Sequence, residues 1–252
     1  MTAGDRPPSA PEPSASAFGD LPLFVTTQTL LAAVAVYWIL GTLLTSSLGQ
    51  RAGLIYRTPI SWPVAVIFAA TWAGILGWLS YSITRLRGPG WQKWAFRRVT
   101  LPDAGWIVAG LVGVYVATPL IEYVQSTLFH VTFSGGAIGR LLMMSTLGLP
   151  TFLFIAVGIV LSPLVEEIAV RGLLLGALRR RYGLRVAVIG SSLVFAAYHR
   201  EPTEFAILFV TGLIFAGVFL KTGTLWAPYL THALVNAASF ARYMFWIAHH
   251  PH

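Results

Sequence analysis

The sequence predicts an all-α membrane protein, a polytopic bundle of about seven transmembrane helices, or eight. Three observations predict this fold: 56% of the 252 residues are hydrophobic, only 10% are charged, and the apolar residues form long runs. A soluble domain usually carries about 25% charged residues. A lipid bilayer is therefore the favoured solvent, and helices are expected because they satisfy their own backbone hydrogen bonds there.

Residues 1–20 precede the first apolar run and are rich in proline, serine and alanine. Such a segment buries too little apolar surface to offset the entropy lost on ordering, so a disordered tail is expected. It also lacks the basic region, short apolar core and small-residue cleavage site of a signal peptide. We therefore expect the first apolar run to stay as a membrane span, and residues 21–248 to form one transmembrane domain.

Seven apolar runs approach the length of about 20 residues that a membrane-spanning helix needs. They lie at 23–46, 62–82, 104–124, 150–178, 185–199, 204–220 and 224–247. The fifth run is short for a full crossing. We expect it to end inside the protein at Arg200-Glu201-Pro202, because irregular backbone at membrane depth must be buried in protein or wetted.

The lysine and arginine residues between these runs are unevenly distributed. If all seven runs cross the bilayer, eleven lie on the side of the N-terminus and five on the other side, with Arg171 inside a span counted on neither. This asymmetry predicts a cytoplasmic N-terminus, with the protein in the plasma (inner) membrane. No nucleic-acid partner is expected, because the basic residues occupy short connections and share no amphipathic face. No pattern indicates an oligomeric state.

The stretch Trp91–Arg98 mixes aromatic and basic residues at helical spacing. This pattern is typical of a helix that lies on the headgroups of the membrane, here on the cytoplasmic side. An ordinary basic loop is the alternative interpretation.

Few ionisable side chains fall within the predicted spans, where burial is costly unless the group is paired or wetted. The fourth run holds three of them, Glu166, Glu167 and Arg171. Residues four apart share a helix face, so Glu167 and Arg171 are predicted to form an ion pair, which serves the architecture alone or the chemistry as well. Glu166 points about 100° away from Glu167 and is left free to act on another group.

Two later runs supply imidazole and amide groups. His199 ends the fifth run, while His232 and Asn236 lie four residues apart on the seventh run and share a helix face. At a rise of about 1.5 Å per residue, Glu166, His199 and His232 lie about 15 to 21 Å from the predicted cytoplasmic ends of their helices. These groups are therefore expected at one depth of the membrane.

The same residues make up three motifs, Glu166-Glu167-x-x-x-Arg171, Phe195-x-x-x-His199 and His232-x-x-x-Asn236. In this order they resemble the motifs of the CAAX prenyl protease and bacteriocin-processing (CPBP, or Abi) family of glutamic-type intramembrane proteases. The resemblance covers about residues 104–247, which it implies to be the core of a transmembrane protease domain. The implied substrate is a membrane-associated or lipid-anchored peptide or protein.

The resemblance also implies a role for each motif residue. In that family the residue matching Glu166, together with the one matching His199, activates water, and those matching His232 and Asn236 hold the oxyanion. Such roles suit the side chains, since a carboxylate can act as a general base and imidazole or amide groups can donate to an oxyanion. Glu167 and Arg171 would fix the helix and balance charge. No cofactor is expected.

Other protease classes can be tested against the sequence. The only aspartates, Asp5, Asp20 and Asp103, lie in or beside polar segments, which excludes an aspartyl intramembrane protease. The absence of cysteine excludes a thiolate nucleophile. Neither His-Glu-x-x-His nor Gly-x-Ser-Gly occurs, which disfavours a zincin and a rhomboid-like serine protease.

Three alternatives stay open. Two imidazoles and a carboxylate match the ligand set of a catalytic zinc site, so one alternative is a zinc metalloprotease that uses Glu166, His199 and His232 as ligands. Another is a proton-coupled transporter that uses the buried charges as a relay. The third is a membrane scaffold without catalytic activity.

Overall fold

The computed structural model describes residues 60–87, 90–131 and 148–249, with isolated positions between 27 and 39 and at 139 and 142. Within these residues the chain is largely helical and contains no strand, which confirms the predicted all-α fold. Two π-helical turns, Val157–Leu161 and Ile168–Leu174, lie before and after the short α-helix Ser162–Glu167. The α-helices are α1 (Trp62–Arg87), α2 (Gln92–Ala95), α3 (Leu101–Phe129), α4 (Leu149–Ala156), α5 (Ser162–Glu167), α6 (Leu175–Tyr198), α7 (Phe205–Thr222) and α8 (Trp226–His249).

Six of the seven predicted runs fall in the described ranges, and each is helical. Four helical segments there are long and apolar enough to cross a membrane: Trp62–Arg85, Leu101–Phe129, Leu149–Tyr198 and Pro202–Thr222. The protein is an integral membrane protein. α8 is not among the four, because polar residues such as His232 interrupt its apolar sequence. Of the first run only single helical positions are described, and the tail predicted at 1–20 lies outside the described residues.

The fourth and fifth runs form one helical path from Leu149 to Tyr198 that is broken at Gly183. Gly183 has φ 81° and ψ 173°, a conformation in which a side chain would be strained. This break separates the two predicted runs. The path ends beside Arg200, whose φ of 60° is left-handed, so the fifth run ends at the predicted residues. Arg200 and Pro202 are exposed, so the expectation that this end is buried inside the protein is wrong.

The first π turn, Val157–Leu161, leaves one backbone carbonyl without its expected donor. In a π turn a carbonyl accepts from the N–H five residues later, and the Ser162 N–H donates to Val157 O in this way. The next carbonyl, that of Gly158, faces position 163, where Pro163 has no N–H. A buried carbonyl needs a partner, so a group from outside this helix is required.

Trp91 belongs to the apolar core between α1 and the long helical path. Its side chain is 2% exposed and packs with Ile75 and Leu79, and its indole N–H donates to Thr84 Oγ1 at 3.2 Å. α2 is a single turn whose Lys93 is exposed. The expectation of a helix lying on headgroups is therefore wrong for Trp91, because its ring packs in the protein core.

Arg97 joins separate parts of the chain at one end of the bundle. Its guanidinium binds the two carboxylate oxygens of Asp103 at 2.8 and 3.0 Å and also donates to Thr222 O. The hydrogen bond to Asp103 raises the pKa of Arg97 above its usual value. Thr224 Oγ1 donates to Arg97 O at 3.0 Å. The start of α3 and the turn between α7 and α8 therefore lie at the same end of the bundle. The topology predicted from the basic residues places them on one side of the membrane as well.

Candidate active site

Glu166 lies in α5, shortly after the first π turn, and is 6% exposed. Ser162, one turn earlier, donates its hydroxyl hydrogen to Glu166 Oε1 at 2.6 Å. The second carboxylate oxygen, Oε2, is buried and accepts no hydrogen bond from any residue that the structure describes. An ionised oxygen in such a position is costly without a donor. Oε2 is therefore an acceptor available to a water molecule or a ligand.

Two imidazoles from different helices face this oxygen. His199 Nε2 lies 3.9 Å and His232 Nε2 lies 3.8 Å from Glu166 Oε2, distances too long for direct hydrogen bonds. The other ring nitrogens are occupied: His199 Nδ1 lies 2.7 Å from Phe195 O, and His232 Nδ1 lies 2.9 Å from Glu167 Oε1. Because a carbonyl and a carboxylate only accept, each Nδ1 carries a hydrogen, and each neutral ring presents an Nε2 lone pair to Oε2.

Glu167 is fully buried and accepts from two partners with one oxygen. Oε1 lies 2.9 Å from both Arg171 Nη1 and His232 Nδ1. The ion pair expected from the spacing of four residues is present, with both side chains 0% exposed. The sequence does not predict the contact with His232, since no pattern relates α5 to α8. This contact fixes the tautomer and orientation of the imidazole, as a carboxylate does for a metal-bound or catalytic histidine.

Arg171 also contacts a backbone carbonyl and two aromatic rings. Nη2 donates to Gly212 O at 3.1 Å, and the guanidinium carbon lies 4.6 Å from the ring centroid of Phe195 and 5.3 Å from that of Phe215. A Cβ at position 212 would lie 3.1 Å from Ser192 Cα, so a larger residue there would require the two helices to move apart by a few tenths of an ångström. Gly212 and Phe215 are not among the residues predicted for the site, and a small residue within an apolar span is the one sequence signal that points to Gly212.

Asn236 reaches the first π turn from α8. Its Nδ2 donates at 2.9 Å to Gly158 O, the carbonyl for which Pro163 supplies no backbone donor. A primary amide has two N–H groups, so this bond uses one and leaves the other for a ligand. Gly158 permits the approach of α8, since a Cβ there would lie 2.7 Å from the ring of Phe240.

Asn236→Ala is expected to lower both stability and catalytic rate. The substitution leaves Gly158 O buried without a side-chain donor, at a cost of about 1–3 kcal/mol. It also removes an implied oxyanion donor, for which a loss of about 10²-fold in kcat is typical. Thermal unfolding and peptide cleavage by the purified protein measure the two effects. Asn236→Asp keeps the size but replaces the donor by an acceptor, so recovery of both quantities in this variant would contradict the assignment.

Glu166 also lies in the wall of an apolar cleft. The cleft is lined from α1 by Trp72 and Ile75, from the helix of Glu166 by Val165 and Ala169, and from the end of α6 by Tyr198. Its other lining residues are aliphatic. An apolar group fits a surface of this kind better than a polar one does.

The zinc alternative depends on the same side chains. In the part of the chain that the structure describes, no three His, Asp or Glu residues are placed to hold a metal ion. Glu166, His199 and His232 nevertheless direct Oε2 and two Nε2 atoms to one space. The described geometry thus does not form a metal site, and the zinc alternative is supported only by the types of residue present. Metal analysis of the purified protein tests it directly.

Comparison with known proteins identifies the region that holds this site. Residues 148–238 match the sequence model of the family described as Type II CAAX prenyl endopeptidase Rce1-like. Residues 148–238 are thus similar to that family and are called the Rce1-like segment. A Bacillus subtilis (strain 168) protein named "Putative membrane peptidase YdiL" is 29% identical to this chain over 84 residues, which are 33% of this chain and 34% of that protein. The chain thus aligns with about a third of the length of this curated relative. No solved structure matches this chain.

The Rce1-like segment confirms the family resemblance inferred from the three motifs. It extends from just before α4 into α8 and is shorter than the region of about 104–247 expected from the motifs, since α3 lies outside it. The segment contains every residue predicted for the site: Glu166, Glu167, Arg171, His199, His232 and Asn236. The similarity to CAAX-type membrane proteases therefore lies in the part of the chain that gathers these side chains.

Proposed function

We propose that the protein is an intramembrane endopeptidase that hydrolyses a peptide bond by attack of a water molecule activated by Glu166 and His199. One observation carries this proposal: Glu166 Oε2 is buried, accepts no hydrogen bond within the described chain, and lies 3.9 and 3.8 Å from two imidazole Nε2 atoms. Three acceptors that face one another need hydrogens between them. A water molecule supplies two, one to Oε2 and one to an Nε2.

The proposed reaction gives each polar group of the site one role. As the water oxygen bonds to the carbonyl carbon, its proton passes to Glu166, while His199 orients the water. The oxyanion is held by the free N–H of Asn236 and by His232 Nε2. Because Nε2 of the neutral ring is an acceptor, His232 must first take up a proton from solvent; it then donates from Nε2 as an imidazolium, and Glu167 balances the charge at Nδ1. The C–N bond then breaks, and Glu166 returns the proton to the amine, so no covalent acyl-enzyme forms.

The proposed substrate is a membrane-associated or lipid-anchored peptide or protein. The apolar cleft beside Glu166 supports this class, because it offers the substrate hydrophobic contacts next to the carboxylate. A prenylated C-terminal peptide, a leader peptide and a sorting tail all belong to it. The proposed location is the plasma (inner) membrane with the N-terminus in the cytoplasm, which is supported by the excess of basic residues on one side.

Terminal proteomics tests the function without a known substrate. Membrane-protein termini are compared between strains that express the wild type or Glu166→Gln, with Glu122→Gln as the matched control because Glu122 lies near the far end of α3, outside the site. We expect at least one terminus to be lost in Glu166→Gln and kept in Glu122→Gln. Identical termini in all strains would reject the protease and favour a transporter or a scaffold.

Metal removal separates the proposed mechanism from the zinc alternative. We propose that the reaction needs no metal, and therefore expect purified protein to keep its cleavage rate in excess of a strong chelator. Elemental analysis of the same preparation measures bound zinc. Stoichiometric zinc that is lost together with activity, and whose return restores activity, would instead assign Glu166, His199 and His232 as ligands.

A further inference from the structure

Ser162 differs from three other buried hydroxyl groups on the described helices. Ser192, Thr222 and Thr231 each donate to the backbone carbonyl four residues earlier, at 2.8, 2.8 and 2.9 Å. This is the common arrangement for a hydroxyl inside a helix. Ser162 instead donates at 2.6 Å to the carboxylate of Glu166, four residues later, and both residues are buried.

The first π turn explains the exception. The carbonyl four residues before Ser162 is that of Gly158, which accepts the amide hydrogen of Asn236 at 2.9 Å. Asn236 thus occupies one of the two lone pairs of the carbonyl that a hydroxyl at position 162 would ordinarily bind. In addition, the Ser162 N–H is bonded to Val157 O, one residue earlier than in an α-helix. Asn236 and the π turn together leave the hydroxyl of Ser162 available for Glu166.

We propose that Ser162 is a positioning residue for Glu166, an inference that depends on the proposed function. Its hydroxyl holds Oε1, which restricts rotation of the carboxylate. Oε2 is then the oxygen that faces His199 and His232, and the one available to the attacking water. Ser162 touches no reacting atom in this arrangement, so it acts through Glu166 alone. Nothing in the three motifs indicates it, because it lies before the first of them.

The expected effect of Ser162→Ala is a loss of rate with little change in substrate binding. A displacement of a catalytic group by about 1 Å can cost about 10²-fold in rate, and we expect kcat to fall by about 10- to 100-fold. KM should stay within about twofold, since the hydroxyl makes no proposed contact with the substrate. Ser162→Thr keeps the hydroxyl and should recover most of kcat.

The assay uses an internally quenched peptide that spans the Glu166-dependent cleavage site found by terminal proteomics. Ser191→Ala is the matched control, because Ser191 is also buried in a helix but donates to a backbone carbonyl, Val188 O, at 3.3 Å. It should keep the wild-type kcat. An unchanged kcat in Ser162→Ala, a loss confined to KM, or a loss that Ser162→Thr does not recover would overturn the proposal.

Thermal unfolding of the same variants tests the contact independently of activity. Ser162→Ala should lower the unfolding temperature more in the wild-type background than in Glu166→Ala, where the partner of the hydroxyl is already absent. Equal decreases in both backgrounds would show that Ser162 serves packing only. The proposed function fails separately, if no terminus depends on Glu166.

Discussion

Glu166→Gln is expected to lower kcat by about 10²- to 10⁴-fold, the range for loss of a general base. Glutamine has the shape of glutamate, and its amide oxygen can still accept the hydroxyl hydrogen of Ser162. The substitution therefore keeps the contact on one side of the group and removes the proton acceptor on the other. KM should change little, because the proposed role of Oε2 is toward water and not toward substrate.

Steady-state cleavage by purified protein measures this loss, and two further variants interpret it. Glu122→Gln makes the same chemical change outside the site and should keep wild-type kinetics. Glu166→Asp retains a carboxylate but draws it back from His199 and His232, so an intermediate kcat is expected. Wild-type kcat in Glu166→Gln, with the protein shown to be pure, would remove Glu166 from the mechanism.

The parts of the fold and site that follow local spacing could be predicted from the sequence. Glu167 and Arg171 are four residues apart and form the expected ion pair, since one helical turn brings them together. Gly183 breaks the long helical path between the fourth and fifth runs, where basic residues interrupt the apolar pattern. These features need only the geometry of one helix or the distribution of apolar residues along it.

Contacts that depend on the first π turn could not be predicted from the spacing of residues. A spacing argument assumes a uniform period of 3.6 residues, whereas a π turn adds a residue and changes which carbonyl pairs with which N–H. The bond from Asn236 to Gly158 O follows from that change. Ser162 and Glu166, by contrast, lie four residues apart in one α-helix, so their contact agrees with ordinary helical spacing although no motif points to it. The burial of Trp91 is another tertiary result, since an amphipathic pattern does not distinguish a lipid surface from a protein surface.

Arg171→Met is expected to destabilise the protein by about 3–5 kcal/mol, the typical cost of leaving one member of a buried ion pair alone. Glu167 and Arg171 are both 0% exposed. In the variant, His232 is the remaining described partner of the Glu167 carboxylate. The unfolding temperature of detergent-purified protein measures the effect. Arg185→Met, a change at an exposed arginine, should stay within about 0.5 kcal/mol of the wild type.

The double variant Glu167→Gln/Arg171→Met should be more stable than Arg171→Met alone. It removes both charges, so no ion is left buried without its partner, and uncharged side chains in place of a buried pair are often tolerated. Activity should nevertheless stay low, because a glutamine at 167 can donate or accept at His232 Nδ1 and no longer fixes the tautomer that directs Nε2 toward Glu166. A double variant with a lower unfolding temperature than Arg171→Met would instead show that the Glu167 carboxylate stabilises the protein without Arg171, through its contact with His232 Nδ1.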